Sequence, residues 1–369
     1  MKKATLFLLI FSLKTTLLFI TVLLFPFCTA TDIKINNPYQ SINWENAEQH
    51  KANFHTHTVR SDGSLNPQVV VDEYHDMGYS ILAITDHNEV TYPWTAFSSM
   101  KPSNTSLGRL KENPDRYEQP LVFEDRNPSD LHMIAIQANE VSAPHHTGSF
   151  FNGFNDRQET EEESWQGIAD QGGIGIVFHP GRYQTRNPEK YSSQWYVNQF
   201  LNFPHLIGLE VYNQGDRYPN DRILYDSILT ELMPQRNLWA FSNDDMHGRK
   251  ALGRNWNVFP LSEHSSGSVR NAMQEGCFYY IYAPLGHAGP EPLSIQSIKV
   301  DQKKGSVTIV ASNAKEFLWI SGEDTLQRGM NNSIHVNDYN EIKGYIRAEI
   351  WGEGKSVLGT QPFGLEELH

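Results

Sequence analysis

The sequence predicts an α/β protein, a β/α barrel followed by a small antiparallel β-sandwich. Three observations carry that prediction. Six short apolar stretches (52–57, 81–87, 133–140, 174–179, 206–210 and 238–247) each run into a His, Asp or Glu. Segments with helical start and stop signals lie between them. Beyond Pro290 the texture changes to short strands separated by turn residues. Barrel strands deliver functional groups at their C-terminal ends, so these endings are expected to converge on one mouth. The 369 residues suffice for one barrel of about 250 residues and a smaller domain.

In chain order, Asn66 is placed to cap a helix with Pro67 in its first position. Val70, Val71 and Tyr74 recur on one face and Gly78 ends it. The segment 88–131 breaks the rhythm. It is rich in Pro, Asn, Ser and Arg without a clear period, and is expected to be a long loop of the kind that forms lids or binding segments. Helix 164–171 stops at Gly172 and Gly173; 184–199, with Tyr191, Trp195 and Tyr196, reads as a second excursion. Helices 221–233 and 268–275 end at Pro234 and Gly276. Strand and helix alternating in this way imply a parallel sheet, and length and site geometry favour its closure. The strands 294–300, 306–311, 316–321, 333–336, 345–351 and 356–360 make a sandwich of about 75 residues. It lacks a cluster of ionisable groups, which suits an accessory role. The expected division is a signal segment at 1–30, a lead-in at 31–50, the barrel at 51–288 and the sandwich at 289–369.

Net charge is −13. Such acidity excludes sequence-independent nucleic-acid binding, which needs a positive face. Lys2 and Lys3 precede an apolar core at 17–27, and Cys28, Thr29 and Ala30 offer small residues before a cut near Thr31. Lys14 interrupts the run, against a permanent membrane span. A secreted or periplasmic protein is expected; lipid attachment at Cys28 is disfavoured by bulky Phe27. Only Cys277 then remains, so no internal disulfide forms and Cys277 reads as a core residue.

His55 and His57 lie two apart on a strand, so both imidazoles project to one side. Asp62, beside the turn residue Gly63, can reach back to the same pocket. His87 ends the next strand; Asp86 either orients a ligand imidazole or starts an Asx turn. Glu140 ends the third, where a carboxylate can bridge two cations about 4 Å apart. One of His145 and His146 should be a ligand. His179 precedes Arg182, which stands close enough to meet an anion bidentately. Asp245 and His247 repeat the two-residue spacing, with Asp244 facing away. Nine candidate groups exceed one tetrahedral ion, so two or three divalent metals are implied, and neutral imidazole and carboxylate without thiolate suit Zn, Mn or Fe.

The motifs His55-Thr56-His57-Thr58, Ser61-Asp62-Gly63, Ile84-Thr85-Asp86-His87-Asn88, Glu140-Val141-Ser142, His179-Pro180-Gly181-Arg182 and Asp245-Met246-His247 together resemble the polymerase and histidinol phosphatase (PHP) superfamily over about 52–282. The resemblance implies a distorted (β/α)7 barrel with a trinuclear site. It also implies that His55, His57, Glu140 and Asp245 hold one metal, and that Glu140 bridges to a second on His179 and His145 or His146. Asp62, His87 and His247 would hold the third. His145 is preferred because His145-x-x-Gly148 suits the family pattern.

The reaction expected from such a site is hydrolysis of a phosphate ester by a metal-bridging hydroxide, with Glu140 and Asp245 in the catalytic centre and Arg182 on a non-bridging oxygen. Lys250 and Arg254 are further substrate-binding candidates. Glu210 reads as a supporting group or, more simply, a buried hydrogen-bonded acid. A second reading takes Tyr92, Trp94, Tyr183, Trp195, Tyr196, Tyr212, Tyr218 and Trp256 as a sugar-binding surround, making a lyase or dehydratase on uronic-acid oligosaccharides. A third is a non-catalytic metal-binding module docking to a glycan or partner. In each case the ligand is small and anionic or a glycan, with no nucleic acid and no stable membrane span.

Overall fold

We describe the protein from a computed structural model covering residues 33–142 and 144–368, the side chain of His287 excepted. The signal segment falls outside the described residues. Strands β1 (Ile33–Asn36) and β2 (Glu48–Asn53) precede helix α1 (Pro67–Asp76) and β3 (Tyr79–Ala83). Helix α2 (Asn104–Glu112) is followed by β4 (Ile134–Ile136), β5 (Ala138–Ser142) and β6 (His146–Phe150). Then come α3 (Glu161–Asp170), β7 (Ile174–Val177), α4 (Pro180–Arg186), α5 (Ser193–Asn202), β8 (Leu206–Asn213), α6 (Asn220–Leu232) and β9 (Trp239–Asn243). Strand β10 (Asn255–Leu261), α7 (Ser266–Glu275) and β11 (Tyr279–Tyr282) complete the metal-motif region. A strand-rich end follows: β12 (Ser294–Asp301), β13 (Ser306–Ser312), β14 (Glu316–Ser321), β15 (Asp324–Gly329), β16 (Ser333–His335), β17 (Tyr345–Trp351), β18 (Val357–Gly359) and β19 (Phe363–Glu367).

The chain is a mixed α/β protein, but its strands do not make one closed parallel ladder. Strands β2, β3 and β4 run parallel, and β10 pairs antiparallel on the other side of β2. Strands β5 to β9 form a second sheet, antiparallel from β5 to β7 and parallel from β7 to β9. Isolated bridges, Thr56 to Met246 and His87 to Glu140, join the two sheets beside the metal motifs.

The seam between β2, β9 and β10 has a physical cause. Buried asparagines replace ladder bonds there: Phe54 N–H donates to Asn243 Oδ1, Ser242 N–H to Asn257 Oδ1, and Asn53 Nδ2 to the Asn255 carbonyl. The backbone polar groups are satisfied, as burial requires, without a continuous sheet. Both sheets nonetheless share one apolar core. Phe54 stands in it edge-on to Phe150, Phe241 and Phe259, at ring separations of 5.9, 6.3 and 5.5 Å.

The C-terminal strands are joined to the first sheet by hydrogen bonds. Strand β18 pairs with β11, β17 with β18 and β19, and β19 with β1. Strands β12, β13 and β16 form a separate small sheet.

The two expected excursions contain helices. Within 88–131, α2 is capped by Ser103, whose Oγ accepts from Ser106 N–H. Within 184–199, Ser192 caps α5 in the same way, and Tyr196, Val197 and Phe200 turn inward. Caps of this kind satisfy otherwise orphaned N–H groups; α2 is polar, with Ser106 its one buried residue, so it shows no apolar period.

Candidate metal centre

The strand ends bring His55, His57, Asp62, His87, Glu140, His146, His179, Asp245 and His247 together. Glu140 is the hub, its side chain only 1% exposed. Oε2 lies 2.8 Å from His87 Nδ1, 3.3 Å from His57 Nε2 and 3.5 Å from His55 Nε2. Oε1 lies 2.6 Å from His146 Nδ1 and 3.6 Å from His179 Nε2. Asp245 Oδ1 stands 3.3 Å from both His55 and His57 Nε2, and Asp62 Oδ1 3.2 Å from His247 Nε2 and 3.5 Å from His87 Nε2.

These approaches are close, yet both Glu140 oxygens, Asp245 Oδ1, Asp62 Oδ1 and His146 Nδ1 are buried without a properly oriented hydrogen bond. Buried carboxylate oxygens that face several imidazoles with no well-oriented hydrogen bond are what cation ligands present, since buried polar atoms are otherwise paired. The residues therefore fit a multinuclear metal centre. They divide into overlapping sets, His57–Asp62–His87–His247, His55–Glu140–His179, His55–His57–Asp245 and His87–Glu140–His146.

Electrostatics follow from the same packing. Burial and the neighbouring His247 pull His57 down to about 4, so its ring is neutral and able to ligate. Burial works against protonated His87, but Glu140 and Asp62 lift it to about 10. Burial would raise the Glu140 carboxyl, but His146, His87 and His55 outweigh it and hold the group well below its ordinary value. Asp245 is likewise held down by His55, His57 and His247 against burial.

Supporting groups fix the donors. His55 Nδ1 donates to Glu210 Oε1 at 2.9 Å, because a carboxylate can only accept, and this leaves Nε2 for the centre. Glu210 also accepts from Asn243, Asn213 and the His179 N–H. His179, Asp245 and Asn88 have left-handed backbone (φ 33°, 45° and 53°), a strained conformation that re-aims side chains at sites. Each is pinned: His179 by Glu210, Asn88 through Oδ1 accepting from Ser142 N–H, and Asp245 through its carbonyl accepting from Gln214. Glu210→Gln is expected to weaken metal binding about 10–100-fold, because an amide cannot accept at all four contacts; competitive chelator titration measures it.

One expectation needs correction and one open reading is decided. His145, the preferred ligand, is sequestered: Nδ1 donates to the His146 carbonyl, Nε2 accepts from Tyr196 Oη, and the ring stacks on Tyr183. Neither nitrogen has a lone pair left, and His146 faces Glu140 instead. Asp86 orients no imidazole. It accepts from Thr58 N–H, Thr58 Oγ1, Ser61 Oγ and Thr91 Oγ1, fixing the turn that carries Asp62. Gly63 suits that turn, since a Cβ there would lie 2.5 Å from the His57 carbonyl oxygen. Lys250 and Arg254 are exposed and neither hydrogen-bonds nor ion-pairs to a cluster residue among those described.

Asp244 faces away as expected. Its carboxylate accepts from Tyr74 Oη and from Gly253, Arg254 and Asn255 N–H. Arg182 is half-buried on α4, its Nε buried without a partner among the described residues and its guanidinium 5.7 Å from the Tyr183 ring. Tyr183 Oη in turn accepts from His146 N–H. The sequence reading missed Tyr183 and Gln214 as supports; Tyr183 follows Arg182 directly, whereas nothing local marks Gln214.

No family model matches the chain, and no curated protein matches it. Among solved structures it is similar to a two-domain protein of Bacteroides vulgatus containing a predicted PHP-like metal-dependent phosphoesterase. The TM-score is 0.47 at 18% identity, covering 90% of this chain and 98% of that one. The lesion-specific endonuclease PfuEndoQ of Pyrococcus furiosus gives 0.37 at 12%, over 62% and 56%. PsfC of Pseudomonas syringae gives 0.40 at 10%, over 64% and 93%. At these values the likeness is one of chain course, and the chemistry rests on this chain's own side chains.

The aromatics proposed as a sugar surround are largely absorbed by packing. Tyr183, Trp195 and Tyr196, together with Tyr191 from outside that set, enclose His145. Tyr212 stacks on Tyr282, Trp256 carries Lys51, and Trp94 is fully buried. Tyr218 does lie near the centre, 5.8 Å from His179, and Tyr92 is exposed.

Proposed function

We propose that the chain is an exported, metal-dependent hydrolase of a small phosphate ester. The observation that supports this most directly is Glu140, whose two buried oxygens address different imidazole sets, as a carboxylate bridging cations would. His55, His57 and Asp245 would hold one metal with Glu140, His146 and His179 a second, and Asp62, His87 and His247 a third. Zn, Mn or Fe suit such donors. Cations bound there would acidify water and neutralise phosphoryl charge. The frame is read as a distorted seven-strand barrel, its seam closed by asparagines, with the C-terminal strands accessory.

The protein's own residues supply the rest. Arg182, half-buried three residues past His179, would meet a non-bridging oxygen through its guanidinium, and Glu210 keeps His55 and His179 aimed. Arg182→Ala is expected to lower kcat/KM about 10²–10³-fold with bound metal unchanged; paired steady-state kinetics and elemental analysis check this.

The function is tested by presenting metal-loaded protein with a phosphoester panel and uronic-acid oligosaccharides together. Phosphate release that chelation abolishes is expected. Full activity after thorough metal removal, or an ultraviolet-absorbing unsaturated sugar as the product, would overturn the reading. Export is supported by the lysines and apolar core of the first thirty residues. Expressed in its own host type, the protein should be recovered outside the cytoplasm with its N-terminus near Thr31; an intact Met1 end in the cytoplasm would refute this.

A further inference from the structure

The outer face of the first sheet carries a cavity unrelated to the metal cluster. It encloses about 260 Å³ between β2, β10, β11 and the segment running from β11 to β12. Lys51, Trp256, Ile281, Leu285, Pro290 and Ser356 are among its walls. Lys51 points outward because its neighbour Ala52 fills the shared core, and alternate strand residues face opposite ways. Its Nζ lies 4.1 Å from the centre of the Tyr79 ring and 4.4 Å from that of Trp256. Among the described residues, the one polar atom in hydrogen-bond range is the Met77 carbonyl, at a long 3.5 Å. No carboxylate stands within ion-pair distance among the described residues.

A half-buried amine held by two ring faces and a weak carbonyl contact is an unusual use of lysine. Ring faces favour a cation, but burying charge without a counter-ion costs stability, and an apolar side chain would fill the position with less penalty. Burial draws Lys51 down to about 8, with Asp244 opposing, so the amine remains largely cationic near neutrality. Around the rim, Glu353 is neutralised by Lys315 at 3.1 Å, while Glu291 is exposed. That leaves Lys51, in the wall of an apolar chamber, with no ion-pair partner among the described residues, and Glu291 at the rim with none either.

We propose that this cavity binds a small organic monocarboxylate, its carboxylate on Lys51 and its flat or aliphatic body against Trp256 and Leu285. The volume suits a ligand of single-ring size. The one unpaired carboxylate at the rim, Glu291, disfavours polyanions, which separates this ligand from a phosphoester bound at the cluster.

Calorimetric titration of the mature, metal-loaded protein with benzoate, benzyl alcohol, benzylamine and inorganic phosphate tests the proposal. Benzoate should bind saturably, at least about tenfold more tightly than the other three. Lys51→Met should abolish that preference, and Leu285→Asp, at a side chain 56% exposed, should weaken benzoate without loss of fold. Glu140→Gln should leave benzoate binding intact, which distinguishes the cavity from the cluster. Equal binding of the alcohol, tighter binding of the amine or phosphate, retention of benzoate by Lys51→Met with an unchanged melting temperature, or absence of benzoate binding would each overturn it.

Discussion

Glu140→Gln is expected to lose bound metal and to lower turnover about 10²–10³-fold, the rate equivalent of several kcal/mol of charge stabilisation. The amide is nearly the same size, so packing around the buried hub is preserved. What changes is charge and lone-pair count. An oxygen that faces His87, His57 and His55, or the one that faces His146 and His179, becomes an NH₂ group that repels a cation. Elemental analysis should find at least one fewer metal per chain, with far-ultraviolet circular dichroism unchanged. A variant retaining full metal and turnover would remove Glu140 from the chemistry. A variant that loses only turnover would place its role in the reaction rather than in assembly.

Arg347→Met should destabilise the protein by about 3–5 kcal/mol. Arg347 is 3% exposed and grips Asp226 through Nε and Nη2, at 2.8 and 2.5 Å, while Nη1 meets Glu349 at 2.8 Å. Removing the cation strands two buried carboxylates, and among the described residues Tyr345 Oη alone continues to donate to the Asp226 carboxylate. Adding Asp226→Asn to Arg347→Met should recover part of the loss, because it removes one stranded charge. Urea-unfolding midpoints measure both. The consequence reaches the site, since α6 carries Asp226 and also Asp221, whose Oδ1 accepts from Gly181 N–H in the turn between His179 and Arg182. Loosened metal binding in Arg347→Met at temperatures below unfolding would demonstrate that link.

Much of the site was legible because strand ends followed by His, Asp or Glu recur too often for chance. His55, His57 and His87 are examples, each lying just past the C-terminal end of its strand, β2 or β3. His145 and His146 could not be separated in this way. His146 begins a strand, β6, that the sequence reading did not find, His145 directly precedes it, and the choice between them depends on Tyr183 and Tyr196 from later helices. Asp86 was open for a similar reason: its four partners come from loops at 58–61 and 91, brought together only by folding.

The sequence by itself determined the chemistry available. It set the donor types, the absence of thiolate, the strand ends that carry the donors and the strand-rich character beyond Pro290. These are local properties, written in residue type and in periods of two or 3.6. Tertiary structure alone decided which imidazole nitrogens stay free, how the sheets meet and where the C-terminal strands pair. Each of those outcomes depends on partners distant in sequence, such as Glu210 for His55, Asn243 for Phe54 and Val357 for Tyr282. A side chain's role in a buried site is set by what occupies its other hydrogen-bonding atom, and no local pattern specifies that neighbour.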